Sequence, residues 1–231
     1  MPDRPILFSA PMVRALLDGR KTQTRRPMKF KGVDEVMNFI KVATDRNGRP
    51  VYEMKGRVGQ HIAIPAGKHL QDYNWSPRIG VGDRLWVRET WQALSFGDYQ
   101  PTKSSQSEVR FAATDPCADL DQEARGYPWR PSIFMPRWAS RITLTVTDVR
   151  VERLTSIGEE DARAEGIEPS HAMPSWWRSQ TEGKSCPTAW DAYGDLWNAI
   201  NGEGSWQADP WVIAYTFTVE RSNIDQIGGA A

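Results

Sequence analysis

Ile6-Leu7-Phe8-Ser9-Ala10-Pro11-Met12-Val13-Arg14-Ala15-Leu16-Leu17-Asp18-Gly19-Arg20-Lys21-Thr22-Gln23-Thr24-Arg25-Arg26 is the stretch whose reading sets the fold. Ile6-Leu7-Phe8 is a short apolar run of strand type. Ser9 can cap the helix that follows, and Pro11 suits its first turn, where a missing N–H leaves no bond unmade. Val13, Leu16 and Leu17 recur at i, i+3 and i+4, which gives that helix one apolar face. Gly19 reaches the left-handed conformation that ends a helix. Lys21 to Thr24 is therefore expected as an exit loop, in which an amine and a hydroxyl lie three residues apart amid dense positive charge.

Outward from this segment, strands outnumber helices. Val51 and Glu53, then His61-Ile62-Ala63-Ile64, suggest a hairpin with Gly56 and Gly59 between, stopped by Pro65 and Gly67. Gly80-Val81-Gly82-Asp83 reads as a turn, and Leu85 to Trp91 alternates as a strand. Ile142, Leu144 and Val146 alternate with Thr143, Thr145 and Thr147 in the clearest strand of the chain, which continues through Val149 and Val151. Ser156-Ile157-Gly158-Glu159 matches a capping box, so a short acidic helix is expected from there to Gly166. Trp190, Tyr193, Trp197 and Ile200 repeat at helical spacing up to Gly202. Trp211 to Val219 is the last strand. With no regular βαβ units, the pattern predicts one α+β domain over residues 1–220, a small curled sheet or β-barrel decorated with short helices. Loop insertions are expected at 28–78, 95–131 and 168–188, and a disordered tail at 221–231.

Composition narrows the function. The 231 residues carry 29 basic and 29 acidic side chains. A neutral chain argues against tight nonspecific binding of a long polyanion, which depends on many phosphate contacts. No run of 18 apolar residues is present, so no membrane span is expected. The N-terminus lacks an apolar signal core, so a cytoplasmic location is expected. Cys117 and Cys186 stand far apart and make neither a disulfide framework nor a zinc site, and no metal-ligand cluster is visible, so no cofactor or metal is expected. The charge is uneven. Residues 1–31 hold eight basic and two acidic side chains, a local balance of +6. This suits one or a few phosphates, or else it is a solvated face neutralised from elsewhere in the fold. Eleven tryptophans serve packing first, although some could stack on a planar base.

The chemistry-bearing types converge on two segments. A threonine hydroxyl becomes a nucleophile when a neighbouring base takes its proton. A lysine is such a base when burial or adjacent cations lower its pKa. Arg20, Arg25 and Arg26 lie beside Lys21 in sequence. Glu165, last in the acidic helix, could orient the pair, giving a Thr24–Lys21–Glu165 arrangement of the nucleophile–base type. The plainer reading is a solvated Lys-Thr-x-Thr turn and a surface glutamate. Arg88 and Glu89 are adjacent charges in a strand, so one of them faces inward, either in a salt bridge or in a ligand pocket.

The run Phe8-Ser9-Ala10-Pro11-Met12-Val13 to Gly19-Arg20-Lys21-Thr22-Gln23-Thr24-Arg25-Arg26 resembles the ASCH domain family, relatives of the PUA fold. Gly82 to Trp91, Pro136-Arg137-Trp138-Ala139-Ser140-Arg141, Glu165-Gly166-Ile167 and Asp209-Pro210-Trp211-Val212 look like the longer phage- and prophage-type members. These segments cover about half of the chain and leave the insertions aside. The resemblance implies a PUA-like barrel. It also implies a metal-independent amidohydrolase that removes the acyl group of N4-acetylcytidine or related N4-acylated cytosines. Thr24 would be the nucleophile, Lys21 the base and Glu165 its orienting acid. Arg26 is a candidate oxyanion donor, Trp75, Trp86 and Trp138 are candidate stacking residues, and Arg88 and Glu89 would line the pocket. The partner implied is a modified nucleoside or nucleobase. The alternatives within the family are a noncatalytic reader of RNA or modified bases and a metal-independent ribonuclease.

Overall fold

In chain order the elements are β1 (Arg4–Leu7), α1 (Ala10–Leu17), β2 (Gln23–Pro27), β3 (Asn38–Thr44), β4 (Pro50–Lys55), β5 (Asn74–Trp75), β6 (Arg84–Arg88), β7 (Trp91–Leu94), β8 (Pro101–Thr102), β9 (Glu108–Phe111), α2 (Gln122–Arg125), β10 (Thr143–Arg153), α3 (Glu159–Ala164), β11 (Trp177–Arg178), β12 (Ser185–Cys186), α4 (Ala189–Asn201) and β13 (Trp211–Glu220). They come from a computed structural model that describes residues 3–29, 36–55, 74–179 and 184–227. The class is mixed α+β, mostly sheet with few helices. The chain groups into two compact units: Met1–Gly19, Asp83–Thr145 and Thr218–Ala231 in the first, Arg20–Gly82 and Val146–Phe217 in the second.

In the first unit β1 runs parallel to β6, with Ile6 opposite Val87, and β6 runs antiparallel to the start of β10, with Leu85 opposite Leu144. Val13, Ala15 and Leu16 bury the apolar face of α1. Ser9 holds the N-cap position and its carbonyl accepts from Val13 N, but its side chain makes no capping hydrogen bond; Pro11 stands in the first turn. Gly19 has φ +75, the left-handed turn expected of it.

The strand expected over Leu85–Trp91 breaks in two. The Glu89 N–H meets the Met135 sulfur rather than a ladder carbonyl, and Trp91 opens β7 in a separate sheet of order β8-β7-β9. The expected loop at 95–131 therefore contains β8, β9 and α2. Nor does the expected tail begin at Arg221. Ile224 is fully buried, and the Asn223 amide donates to the carbonyls of Arg137, Trp138 and Ser140.

In the second unit β2 pairs antiparallel with β13, Thr24 opposite Tyr215 and Arg25 opposite Ala214. The expected exit loop is thus a strand entered through a single bridge between Lys21 and Glu165. Charged sequence reads as loop because a lone buried cation is forbidding; here each buried cation finds a carboxylate, so the strand forms.

β4 pairs with β3; the strand expected at 61–64 lies outside the described residues. β5 completes that sheet, and β11 pairs with β12 inside the expected 168–188 loop. The capping box at Ser156 is not formed. Ser156 closes a 3-10 turn by bonding the Arg153 carbonyl, and Gly158 is the N-cap of α3. The Glu159 carboxylate instead receives the N–H groups of Ala189 and Trp190 at the start of α4. Gly166, with φ +92, follows α3 as the sequence suggests. One apolar cluster of this unit packs α3 and α4 through Ala162, Tyr193 and Trp197; another gathers Phe39, Tyr52 and Trp211. Ile200, though in helical register, is exposed.

Candidate active site

Period-two geometry in β2 builds the site. Gln23 and Arg25 project to one side of the strand and Thr24 and Arg26 to the other. On the partner side, Asp161 within α3 and Glu165 at its C-cap are one helical turn apart, which sets both carboxyls on one face. The result is a buried ionic network inside the second unit.

Lys21, with no exposed surface, donates from Nζ to the Glu165 carboxylate Oε2 at 2.8 Å and to the Glu165 carbonyl at 2.8 Å. The other carboxylate oxygen, Oε1, accepts from Arg25 Nη1 at 3.1 Å. Arg25 also reaches Glu152 Oε1 through Nε at 2.9 Å, Asp161 Oδ2 through Nη2 at 3.0 Å and the Gln23 amide oxygen at 3.2 Å. Asp161 is fixed in turn by Gln23 at 2.8 Å and by Arg150 at 2.7 Å. Tyr193, buried on α4, lies near enough for the Glu165 charge to act on it.

Burial pushes Lys21 below the ordinary lysine value. Glu165 opposes the shift, and the charges of Arg26 and Arg25 add to it. Burial likewise lowers Arg26, against the pull of Glu165 and the tyrosines Tyr193 and Tyr215. Glu165 thus acts on both sides of β2. Burial and the adjacent Glu165 charge hold Tyr193 well above its usual range, so it stays a neutral donor. Burial works against ionisation of Asp161, but the Gln23 bond and the Arg150 and Arg25 charges outweigh it and lower its pKa. The network holds a buried amine whose pKa lies below the ordinary lysine value.

Of the sequence candidates, Lys21 and Glu165 are joined. Thr24 is buried two residues further along the chain than Thr22, and among the described residues no hydrogen bond engages its hydroxyl. Trp75 lies in an aromatic cluster, with ring centroids 6.1 Å from Phe39 and 6.3 Å from Tyr52. Arg26 stands in β2 of the second unit, and the remaining candidates belong to the first. Trp86 is buried under the Arg88 guanidinium, 4.7 Å from the ring centroid. Glu89 is the inward-facing charge of its pair and forms a two-pronged salt bridge with Arg141, 2.9 Å on each oxygen. Burial raises its pKa against the pull of Arg141. Trp138 meets Trp91 edge to face at 5.9 Å. Each of these aromatic and charged groups is engaged in packing or pairing within its unit.

Sequence reading named Arg25 only as a cation beside Lys21, and it missed Tyr193, Asp161, Gln23 and Glu152. Two signals were available: the period-two spacing of Lys21, Gln23 and Arg25, and the i, i+4 spacing of Asp161 and Glu165. Among the described residues no group of three or more His, Cys, Asp or Glu side chains is placed to hold a metal ion. No described helix is long and apolar enough to cross a membrane. Comparison with protein-family models, with curated proteins and with solved structures returns no match.

Proposed function

We propose that this protein is an amidohydrolase of the ASCH type, with a PUA-like barrel, that deacylates N4-acetylcytidine or a related N4-acylated cytosine. The observation that carries the reading is the fully buried Lys21 amine, held 2.8 Å from the Glu165 carboxylate and lowered in pKa by its burial. An amine lowered in this way gives up its proton more readily than an ordinary lysine, which is what a general base requires. The Thr24 hydroxyl, free of described hydrogen bonds and three residues away, is the nucleophile it serves.

In the first half-reaction Lys21 takes the Thr24 proton as Oγ1 bonds to the acyl carbonyl carbon. The tetrahedral oxyanion draws on Arg26 and on backbone N–H groups. The bond from the acyl carbon to N4 then breaks, with the lysine proton passing to the leaving nitrogen, and cytidine departs. In the second half-reaction water, deprotonated by Lys21, attacks the threonine ester and releases the carboxylic acid and the free hydroxyl. The reading requires the amine and the hydroxyl to meet in the substrate complex, where catalytic hydrogen bonds tighten.

Turnover of N4-acetylcytidine, followed by the ultraviolet change to cytidine, tests this. Thr24→Ala and Lys21→Met are expected to lose about 10³-fold or more in kcat/KM. A wild-type protein that leaves the nucleoside intact but binds RNA in a salt-sensitive way overturns the reading in favour of a base reader. RNA cleavage that survives Thr24→Ala overturns the threonine nucleophile.

A further inference from the structure

We propose that Arg25 is a positioning residue for Lys21: it holds the Glu165 carboxylate by the oxygen that Lys21 leaves, so that the carboxylate orients the amine without retaining its proton. The assignment rests on the amidohydrolase reading for its catalytic consequence, and on the hydrogen-bond geometry for its physical content.

A carboxylate bound only by an ammonium favours the charged form of that ammonium, which is the wrong state for a base. Here the two oxygens are divided. Oε2 faces Lys21 at 2.8 Å and Oε1 faces Arg25 at 3.1 Å. Because a guanidinium does not deprotonate in proteins, Arg25 is a permanent counter-charge to Glu165. It is also a rigid one. Its side chain has no exposed surface, and its Nε and Nη2 are held by Glu152 at 2.9 Å and Asp161 at 3.0 Å. The guanidinium cannot swing away from Glu165 without breaking bonds to two further carboxylates.

Among the described residues, Glu165, Arg25 and Arg26 act on Lys21 directly; through them the network extends to Asp161 of α3, Arg150 and Glu152 of β10, Tyr193 of α4 and Tyr215 of β13. Arg25 touches three of the carboxylates in that set and links them to the Lys21–Glu165 pair. Burial of the pair alone would lower the amine; the guanidinium limits how far the carboxylate restores it.

The test is a titration of Lys21 in the full chain labelled with ¹³C-lysine, reading the Cε shift and assigning it by its loss in Lys21→Met. In Arg25→Gln the Lys21 titration is expected to move up by about one pH unit. With it the acid limb of kcat/KM on N4-acetylcytidine moves up, so that turnover on that limb falls about ten-fold. Arg25→Lys, which keeps the charge, is expected to lie between wild type and Arg25→Gln. Because Arg25→Gln leaves buried carboxylates short of a partner, the double variant Arg25→Gln/Glu152→Gln removes one of them and carries the same expectation in a better-compensated fold. A Lys21 titration that is the same in wild type and in a folded double variant overturns the assignment. A wild type inactive on N4-acylated cytosines overturns the reaction instead, and the Cε titration then decides the role of Arg25 by itself.

Discussion

At the scale of single residues, the Lys21–Glu165 pair shows how a buried charge becomes tolerable. Each oxygen of Glu165 has its own cation. Removing one member of such a set is worse than never having built it. Glu165→Ala leaves two buried cations short of their shared carboxylate and is expected to destabilise the protein by about 3–5 kcal/mol in urea denaturation. Glu165→Gln, which keeps the shape and one acceptor, is expected to lose less. Lys21 also ties stability to pH. Its folded pKa lies below the ordinary lysine value of 10.5, so in the window between the two the unfolded chain binds more protons. Stability therefore gains a contribution as pH rises through that window, and Lys21→Met is expected to abolish it in denaturation midpoints measured across the alkaline range.

At the scale of elements, Glu159 links two helices. Its carboxylate stands at the N-terminus of α4 and accepts from Ala189 N at 2.9 Å and Trp190 N at 3.1 Å. Burial opposes ionisation, but these bonds, with Arg163, bring its pKa below the ordinary glutamate value of 4.5. The contribution is thus present above that value and lost as pH falls through the folded one. The carboxylate is partly solvent-exposed, so Glu159→Gln is expected to destabilise by only about 0.5–1 kcal/mol at neutral pH. Wild type and variant are expected to converge in acid, as thermal melts across pH would show. The elements legible in the sequence were those with a clean period: α1, α4, β10 and β13. β2 was not, because its residues alternate between cations and polar groups, and a strand of that composition forms only when carboxylates from β10 and from α3 and its C-cap arrive to pair with it.

At the scale of the whole chain, segments remote in sequence stabilise each of the two units. In the first, Arg84 bonds Asp3 and the carbonyls of Ile224 and Ile227, and Arg137 bridges Asp3 and Asp225. Fully buried Ile224 makes the C-terminal segment part of the core rather than a tail. Ile224→Ala is expected to cost about 2–5 kcal/mol, and truncation after Glu220 more, read as a lower Tm.

By itself the sequence determined what local periodicity and backbone chemistry determine. It marked the helix ended by Gly19, the alternating strands, the turns at Gly82 and Gly166, and the pairing of an amine with a hydroxyl in one short run. Tertiary structure decided which charges meet. The separation of Lys21 from Glu165 is 144 residues and that of Arg25 from Glu165 is 140. No spacing along the chain encodes such contacts. They exist because burying the apolar faces of α3 and α4 brings one helical turn of carboxylates onto a strand of cations, and burial then demands that every one of those charges be paired.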